Sequence, residues 1–294
     1  MNDKPDIVII GPGKVGRTLA ILAGRAGWPV AGIGARDEDK ARAAAEDVGP
    51  DVRAGKIEQI APMGQLVLLT VSDDAIEPLC RHLAETGCFG RGAVVAHCCG
   101  AIASDVLSPA RELCGAAIGS MHPLQTFPDV DAVLKKLPGS YCFCEGDERA
   151  VEALENLADA VGGKPVRMSP DGKLLYHASA VMACNYFTAL IDSALATAGH
   201  AGIGRSDALA ALEPLVRATM ENVFSSGPEK ALTGPIARGD DRLVSRQFAD
   251  ISSADKNLGD IYRTLGRWAV DVALRKGTID EEKTQKLWEI FGEK

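Results

Sequence analysis

A doubly wound α/β domain followed by an all-helical domain is the fold that this sequence predicts. Three observations carry the prediction. Short continuous apolar runs alternate with amphipathic stretches through the first half, a glycine-rich turn joins the first run to the first amphipathic stretch, and the strand signal ends after Ser169. Continuous apolar strands separated by helices imply a mostly parallel sheet covered on both faces.

Taken in order, Ile7 to Ile10 is a β-branched strand, and "GPGKVG" then opens an amphipathic helix that ends near Gly27. Val30 to Ala35 is a second strand, followed by a helix from about Glu38 that Gly49 stops. Leu66 to Val71 is a third strand, after which Ser72 and Asp73 cap the next helix by complementing its free N–H groups and positive dipole end. Ala93 to His97 is a strand, "SDVLSPAREL" a short helix, and Ala117 to Ser120 a strand. Tyr141 to Cys144, a helix to about Val161 and a short strand from Val166 to Met168 continue the pattern. Beyond Ser169, helical patterns run over Lys173 to about Ala198, Ser206 to Phe224, Arg242 to Ala249, Ala254 to Arg275 and Asp280 to Phe291. Gly and Pro cluster between them, in "SSGPEK" and "TGPIARGD". The expected domains are therefore residues 1–169 and 170–294.

Composition sets the class of partner. The 294 residues are 46% hydrophobic and 24% charged, with net charge −8; the mean hydropathy is +0.02 and the pI about 5.2. An acidic chain of this kind argues against nucleic acid or anionic membrane as the main partner. No apolar run reaches the ~20 residues of a membrane span, and "MNDKPDIVII" lacks the parts of a secretory signal. The expectation is a cytoplasmic protein. Its eight cysteines mostly sit in apolar patterns without CxxC pairs, which predicts reduced structural thiols and no metal site.

Gly11, Gly13 and Gly16 form G-x-G-x-x-G between a strand and a helix. In that setting the first glycine permits the tight turn, the second lets backbone approach a pyrophosphate, and the third lets helix and strand pack closely. The helix N-terminus offers free N–H groups to the phosphates. Gly11, Pro12, Gly13, Lys14, Val15 and Gly16 are the expected dinucleotide cradle, the alternative being a tight structural turn. An NAD enzyme usually carries Asp or Glu about 20 residues past the glycines. Here that position is Arg36, suited to a 2′-phosphate, with Asp37 the cap of the next helix. NADP is the expected cofactor, unless Arg36 merely lies in solvent.

Ligands of open α/β sheets lie at the carboxyl edge. Val71, Ser72 and Asp73, then Cys99 and Gly100 in "HCCGA", fall there as cofactor contacts. "SMHPLQTF" reaches the same edge, and it brings His122 and Gln125 toward the nicotinamide end; a rigid turn at Pro123 is the structural alternative. On the long helix, Lys173 and His177 are four residues apart on one face, with Asn185 approximately in line. The two groups are expected to converge on a cleft between the domains.

The motifs "GPGKVG", "TVSDDAI", "HCCGA", "SMHPLQTF", "YHASAVMACNY" and "GPIARGD" give the chain, from Asp6 to about Phe291, a family resemblance. It resembles the Rossmann-like oxidoreductases that bear domain-of-unknown-function 2520. These are relatives of the 6-phosphogluconate dehydrogenase and 3-hydroxyacid dehydrogenase superfamily. The resemblance implies a Rossmann domain plus a helical domain that usually dimerises, and some members look like ketopantoate reductases. The superfamily's Lys-x-x-x-Asn pair is Lys173 and His177 here, with histidine in place of asparagine, and Cys99 stands where many relatives have serine.

The resulting expectation is an NADP-dependent reductase of a small 2-oxo acid, ketopantoate foremost. Lys173 or His177 would donate the proton, Asn185 and Gln125 would orient the carbonyl, and Arg238 in "GPIARGD" would bind the carboxylate. An imine reductase resembling pyrroline-carboxylate reductase needs the same hydride and proton and is the second reading. A non-catalytic NADP-binding sensor is the third. Long apolar faces in "ALAALEPLV" and "LGRWAVDVAL" predict a homodimer through the helical domain, unless both faces are buried within one chain.

Overall fold

The computed structural model describes residues 4–292, and the chain divides into two units, residues 1–183 and 184–294. The first is built on an eight-stranded sheet. Its strands are β1 (Ile7–Ile10), β2 (Val30–Gly34), β3 (Arg53–Gly55), β4 (Leu66–Leu69), β5 (Val94–His97), β6 (Ala117–Pro123), β7 (Tyr141–Gly146) and β8 (Lys164–Arg167). They lie in the order β3-β2-β1-β4-β5-β6-β7-β8. All neighbouring pairs are parallel except β6 with β7, which run antiparallel.

Side chains alternate across the sheet because a strand has period two. Ile7, Ile9, Leu66 and Leu68 face one apolar cluster. Its cover is α1 (Lys14–Arg25), α2 (Glu38–Glu46) and, further along the chain, two helices that follow β6 and β7. Val8, Ile10, Val67 and Leu69 face the other cluster, beneath α3 (Ile57–Ile60), α4 (Asp73–Glu85) and α5 (Ser108–Cys114). The remaining helices of the first face are α6 (Val130–Lys136) and α7 (Glu148–Ala160). Both faces are thus closed, as the continuous apolar strands require. The two edges differ from the middle: β3 has three residues, and β8 reads Lys-Pro-Val-Arg.

The first unit also takes α8 (Lys173–Ala180) and ends inside a π-helical segment, Val181–Asn185. The boundary expected at Ser169 therefore moves to Ala183, because Lys173 at the start of α8 is fixed to strands of the sheet.

The second unit is helical: α9 (Tyr186–His200), α10 (Arg205–Ser226), α11 (Pro228–Ala231), α12 (Gly234–Arg238), α13 (Asp241–Ala254), α14 (Lys256–Lys276) and α15 (Glu281–Phe291). Its core is small: Val244, Val270, Ala273, Ile279, Leu287 and Phe291. Asp240, Asp255 and Asp280 cap α13, α14 and α15 by accepting backbone N–H bonds. The segment "GPIARGD", expected as a loop, is the single-turn helix α12, with Pro235 in its first turn and Gly239 in the left-handed region closing it.

One helix bears on the expectation that no segment is apolar enough to span a membrane. The helical stretch Pro170–His200 has the length and composition to cross a membrane, at a hydropathy of 1.3. Reading for uninterrupted large apolar residues missed it, because alanine, methionine and cysteine raise the average across the polar breaks at His177, Asn185 and Asp192.

Candidate active site at the carboxyl edge of the sheet

The three glycines of the first turn are needed for different reasons. Gly11 has φ +96°, and a Cβ there would stand 2.7 Å from Val71 Cγ1. A Cβ on Gly16 would stand 2.3 Å from Thr70 Oγ1 and 2.7 Å from the Gly11 carbonyl oxygen. Thr70, at the end of β4, holds the turn by donating to the Gly11 carbonyl at 2.7 Å. Gly13 is different: a Cβ there would meet only the Thr70 carbonyl, at 3.9 Å. The protein itself leaves that space clear, and it adjoins an α1 N-terminus with no side-chain cap and no acidic residue in its first turn. Uncapped N–H groups and an uncompensated positive helix end suit an anion. These features fit the pyrophosphate of a dinucleotide.

At the end of β2, Arg36 is exposed, whereas Asp37 caps α2 by accepting from the backbone N–H groups of Asp39 and Lys40. The acidic neighbour is engaged and the arginine extends outward, an arrangement that fits a ribose phosphate better than a bare ribose. Ser72 makes no capping hydrogen bond on α4, contrary to expectation; Asp73 and Asp74 complement that helix end by charge alone.

The next strand ends build a polar cluster. On β6 and β7, Ser120 lies directly opposite Glu145, and His122 opposite Phe143. Lys173 of α8 reaches down to this pair. Its Nζ donates to Glu145 Oε1 at 2.8 Å and to Ser120 Oγ, with the lysine only 1% exposed. Glu145 also accepts from Ser104, from N at 3.0 Å and from Oγ at 2.7 Å. Burial lowers the Lys173 pKa, against the opposing pull of the Glu145 charge. Lys173 therefore lies inside a buried, fully bonded network.

His97 of β5 is buried beside this network. Its Nδ1 accepts from the Cys99 N–H at 3.1 Å and its Nε2 meets the Ala103 carbonyl at 3.3 Å. Burial and the Lys173 charge push its pKa down to about 3. A neutral ring with hydrogen on Nε2 satisfies both contacts. Its effect is to fix the backbone of the "HCCGA" turn. Burial pushes the Cys98 thiol up to about 12, and burial with the Asp73 carboxylate nearby raises that of Cys99. All eight cysteines are free thiols, as expected.

Two imidazole rings then gather over Gly100, one of them held by Tyr176. His122 Nδ1 lies 2.8 Å from the Tyr176 hydroxyl, and the His122 and His177 rings are 5.9 Å apart, edge to face. A Cβ on Gly100 would stand 2.5 Å from His177 Cδ2 and 2.8 Å from His122 Nε2. Glycine at position 100 is thus what lets both rings approach the turn. Burial, and then the neighbouring His177 and Lys173, push the His122 pKa down to about 4.

His122, His177, Gly100, Cys99 and Lys173 are therefore brought together, as expected. Gln125 is not: its amide donates to Ser140 Oγ at 3.1 Å, and its oxygen accepts from the Thr126 N–H at 2.9 Å. These bonds close its own loop. Asn185 and Arg238 belong to the second unit, and both are exposed. The π-helical segment also alters the register, so the in-line spacing that placed Asn185 on the Lys173 face does not hold past Ala180. Sequence reading assigned no role to Thr70, His97, Ser104, Glu145 or Tyr176. The available signal was a glutamate in the apolar strand "YCFCEG", since a buried carboxylate requires partners.

A parallel sheet, a glycine turn at its first crossover and a polar cluster at its carboxyl edge define a Rossmann-like protein. The sequence accordingly matches the Rossmann-like domain over residues 2–123, and the domain of unknown function DUF2520 over residues 140–269. The resemblance drawn from the motifs is borne out. No curated protein is matched. Among solved structures, a Thermotoga maritima protein is 23% identical with a TM-score of 0.72, covering 92% of this chain and 99% of its own. A reductive aminase from Aspergillus terreus, in complex with NADPH and ethyl-5-oxohexanoate, is 16% identical with a TM-score of 0.59, over 98% of this chain and 92% of its own. An imine reductase from Streptomyces aurantiacus is 17% identical with a TM-score of 0.62, over 98% and 100%. At these identities the likeness establishes the fold.

Proposed function

We propose that the chain is an NADP-dependent oxidoreductase that reduces a small 2-oxo acid, with ketopantoate as the leading candidate. The observation that carries the reading is the shared sheet edge. The open cradle at Gly13 follows β1, and the His122–Tyr176–His177 cluster stands where β6 ends, two strands that both run toward that edge. NADPH, when bound, supplies the hydride. The uncapped N–H groups of α1 would hold its pyrophosphate and Arg36 its 2′-phosphate. His122 and His177 would polarise the acceptor bond by hydrogen bonding. Lys173 serves this arrangement by neutralising Glu145, so that α8 and its two aromatic side chains stay seated on the strands. Other proteins of this fold support the reading, since reductases are among them.

An imine acceptor is the second reading, favoured by one observation. A 2-oxo acid needs a cation for its carboxylate, and the Lys173 ammonium is already engaged by Glu145. Arg238 is then the candidate to supply it; an imine without a carboxylate makes no such demand. We further propose a cytoplasmic homodimer, associated through the exposed apolar faces of the second unit.

Purified protein mixed with NADPH and a panel of 2-oxo acids and cyclic imines, followed at the nicotinamide absorbance band, tests the proposal. Turnover with 2-oxo acids, and a raised KM in Arg238→Ala for these acids alone, supports the first reading. Turnover with imines alone supports the second. Tight NADPH binding with no turnover on any acceptor identifies a sensor and overturns both.

A further inference from the structure

His122 has two ring nitrogens in unlike settings. Nδ1 is hydrogen-bonded to the Tyr176 hydroxyl. Nε2 has no bonded partner among the described residues, and it points toward the bare face of Gly100 beside His177. A phenol O–H is the stronger donor of the two groups and an imidazole nitrogen the stronger acceptor, so the bond runs from Tyr176 to Nδ1. A neutral imidazole that accepts at one nitrogen carries its hydrogen on the other.

We propose that Tyr176 is a positioning residue that locks His122 into its Nε2–H tautomer, so that a neutral imidazole offers a hydrogen bond to the acceptor atom of the substrate. The proposal rests on the reductase reading for the identity of that atom, but the tautomer itself does not. The Tyr176 ring is held independently of its hydroxyl. It packs against Phe143 with centroids 4.3 Å apart, and Phe143 is the residue directly across the sheet from His122. The strand pair thus fixes both ends of the Tyr176–His122 contact. Around His122 stand His177 and Lys173 from α8 and Asp73 from α4. Burial outweighs the acidic neighbour and keeps the ring neutral at physiological pH, while burial raises the Tyr176 pKa, so the phenol keeps its hydrogen.

What Nε2–H does is stabilise charge without giving up its hydrogen. The proton that completes the reduction is taken from solvent water, so the ring keeps its hydrogen throughout; a neutral histidine acting as a hydrogen-bond donor is a known catalytic device. Gly100 belongs to the same arrangement, because any side chain there would displace the nitrogen that does this.

Long-range proton–nitrogen correlation spectra of histidine-labelled protein read the tautomer directly and need no substrate. The expected wild-type result is protonated Nε2 and bare Nδ1 at His122. In Tyr176→Phe, which preserves the Phe143 contact, the ring should become a mixture of tautomers. NADPH affinity should stay unchanged, and kcat should fall by about tenfold, the worth of one well-placed hydrogen bond. A wild-type ring protonated at Nδ1 would overturn the proposal, as would a tautomer indifferent to Tyr176→Phe. If the tautomer behaves as expected but no acceptor is reduced, the reductase reading fails and the positioning role of Tyr176 stands.

Discussion

The two units of this chain solve burial differently. In the first, two apolar clusters fill both faces of the sheet, and every central strand residue from Ile7 to Ile10 and from Leu66 to Leu69 is fully buried. In the second, the buried cluster among the described residues has six members, while Leu215, Phe224 and Trp268 are exposed, Phe224 at 83%. An apolar groove of about 760 Å³ lies among α9, α10, α13 and α14, lined by Leu190, Ile203, Leu212, Ile261 and Leu265. A sheet closed by its own crossovers finishes its core within one chain, whereas a set of helices can leave apolar stripes that only another surface covers. The first unit closes its core on itself; the second leaves large apolar side chains exposed.

The sharpest way to break this contrast is from inside the first unit. Removing one partner of a buried ion pair leaves an uncompensated charge, so Glu145→Ala should destabilise that unit by about 3–5 kcal/mol in denaturant titration. The double variant Glu145→Ala with Lys173→Met should recover much of the loss. A loss under about 1 kcal/mol would mean that Lys173 finds water in the variant.

The second unit should respond to concentration instead. Light scattering at micromolar concentration should give a dimer, and Phe224→Asp combined with Trp268→Asp should give a monomer. Each aromatic face is worth about 1.5–3 kcal/mol when buried. The wild-type melting temperature should rise with protein concentration and that of the variant should not. A monomeric wild type would show that the stripes need no cover.

Smaller effects test whether the first unit alone selects the cofactor. Arg36→Ala should remove about 1.5–3 kcal/mol of NADPH affinity and leave NADH binding unchanged, by calorimetry. Equal affinities for the two cofactors in the wild type would refute the role of Arg36. Gly13→Val is the companion: because the protein leaves that position clear, the variant should fold normally yet lose NADPH binding. The same change at Gly16 should instead damage the fold.

The gentlest test is pH. His97 and His122 have native pKa values pushed down to about 3 and about 4, from 6.5. Below pH 6.5 the unfolded chain takes up protons that the native protein refuses, so stability falls as pH drops from about 6.5 toward 4. Each histidine contributes at most about 1.4 kcal/mol per pH unit. The stability–pH curve of His97→Gln should be flatter in that window, and an unchanged slope would remove His97 as a cause.

Much of the first unit was legible in the sequence, because a buried parallel strand announces itself as an apolar run and a nucleotide turn by its glycines. β3 was not, since Arg53–Gly55 contains no apolar run and forms only by pairing with β2. The site was legible where one segment carries it, as in "SMHPLQTF". The Lys173–Glu145 bond joins residues 28 apart on a strand and a helix, and no local pattern predicts that the lysine should point inward. Tyr176 was hidden for the same reason, as its role depends on β6 and β7 running side by side.

The sheet's two edges have a consequence for how copies of this chain meet. An open edge is a template onto which another strand can dock, and repetition of that event gives fibres. Here one edge strand is only three residues long, and the other carries Lys164, Pro165 and Arg167. The proline lacks a donor, so one hydrogen bond of any added ladder cannot form there. Strand-to-strand growth is discouraged at both ends, so the closed pair proposed for this chain would form through the helical unit and not as an endless ribbon.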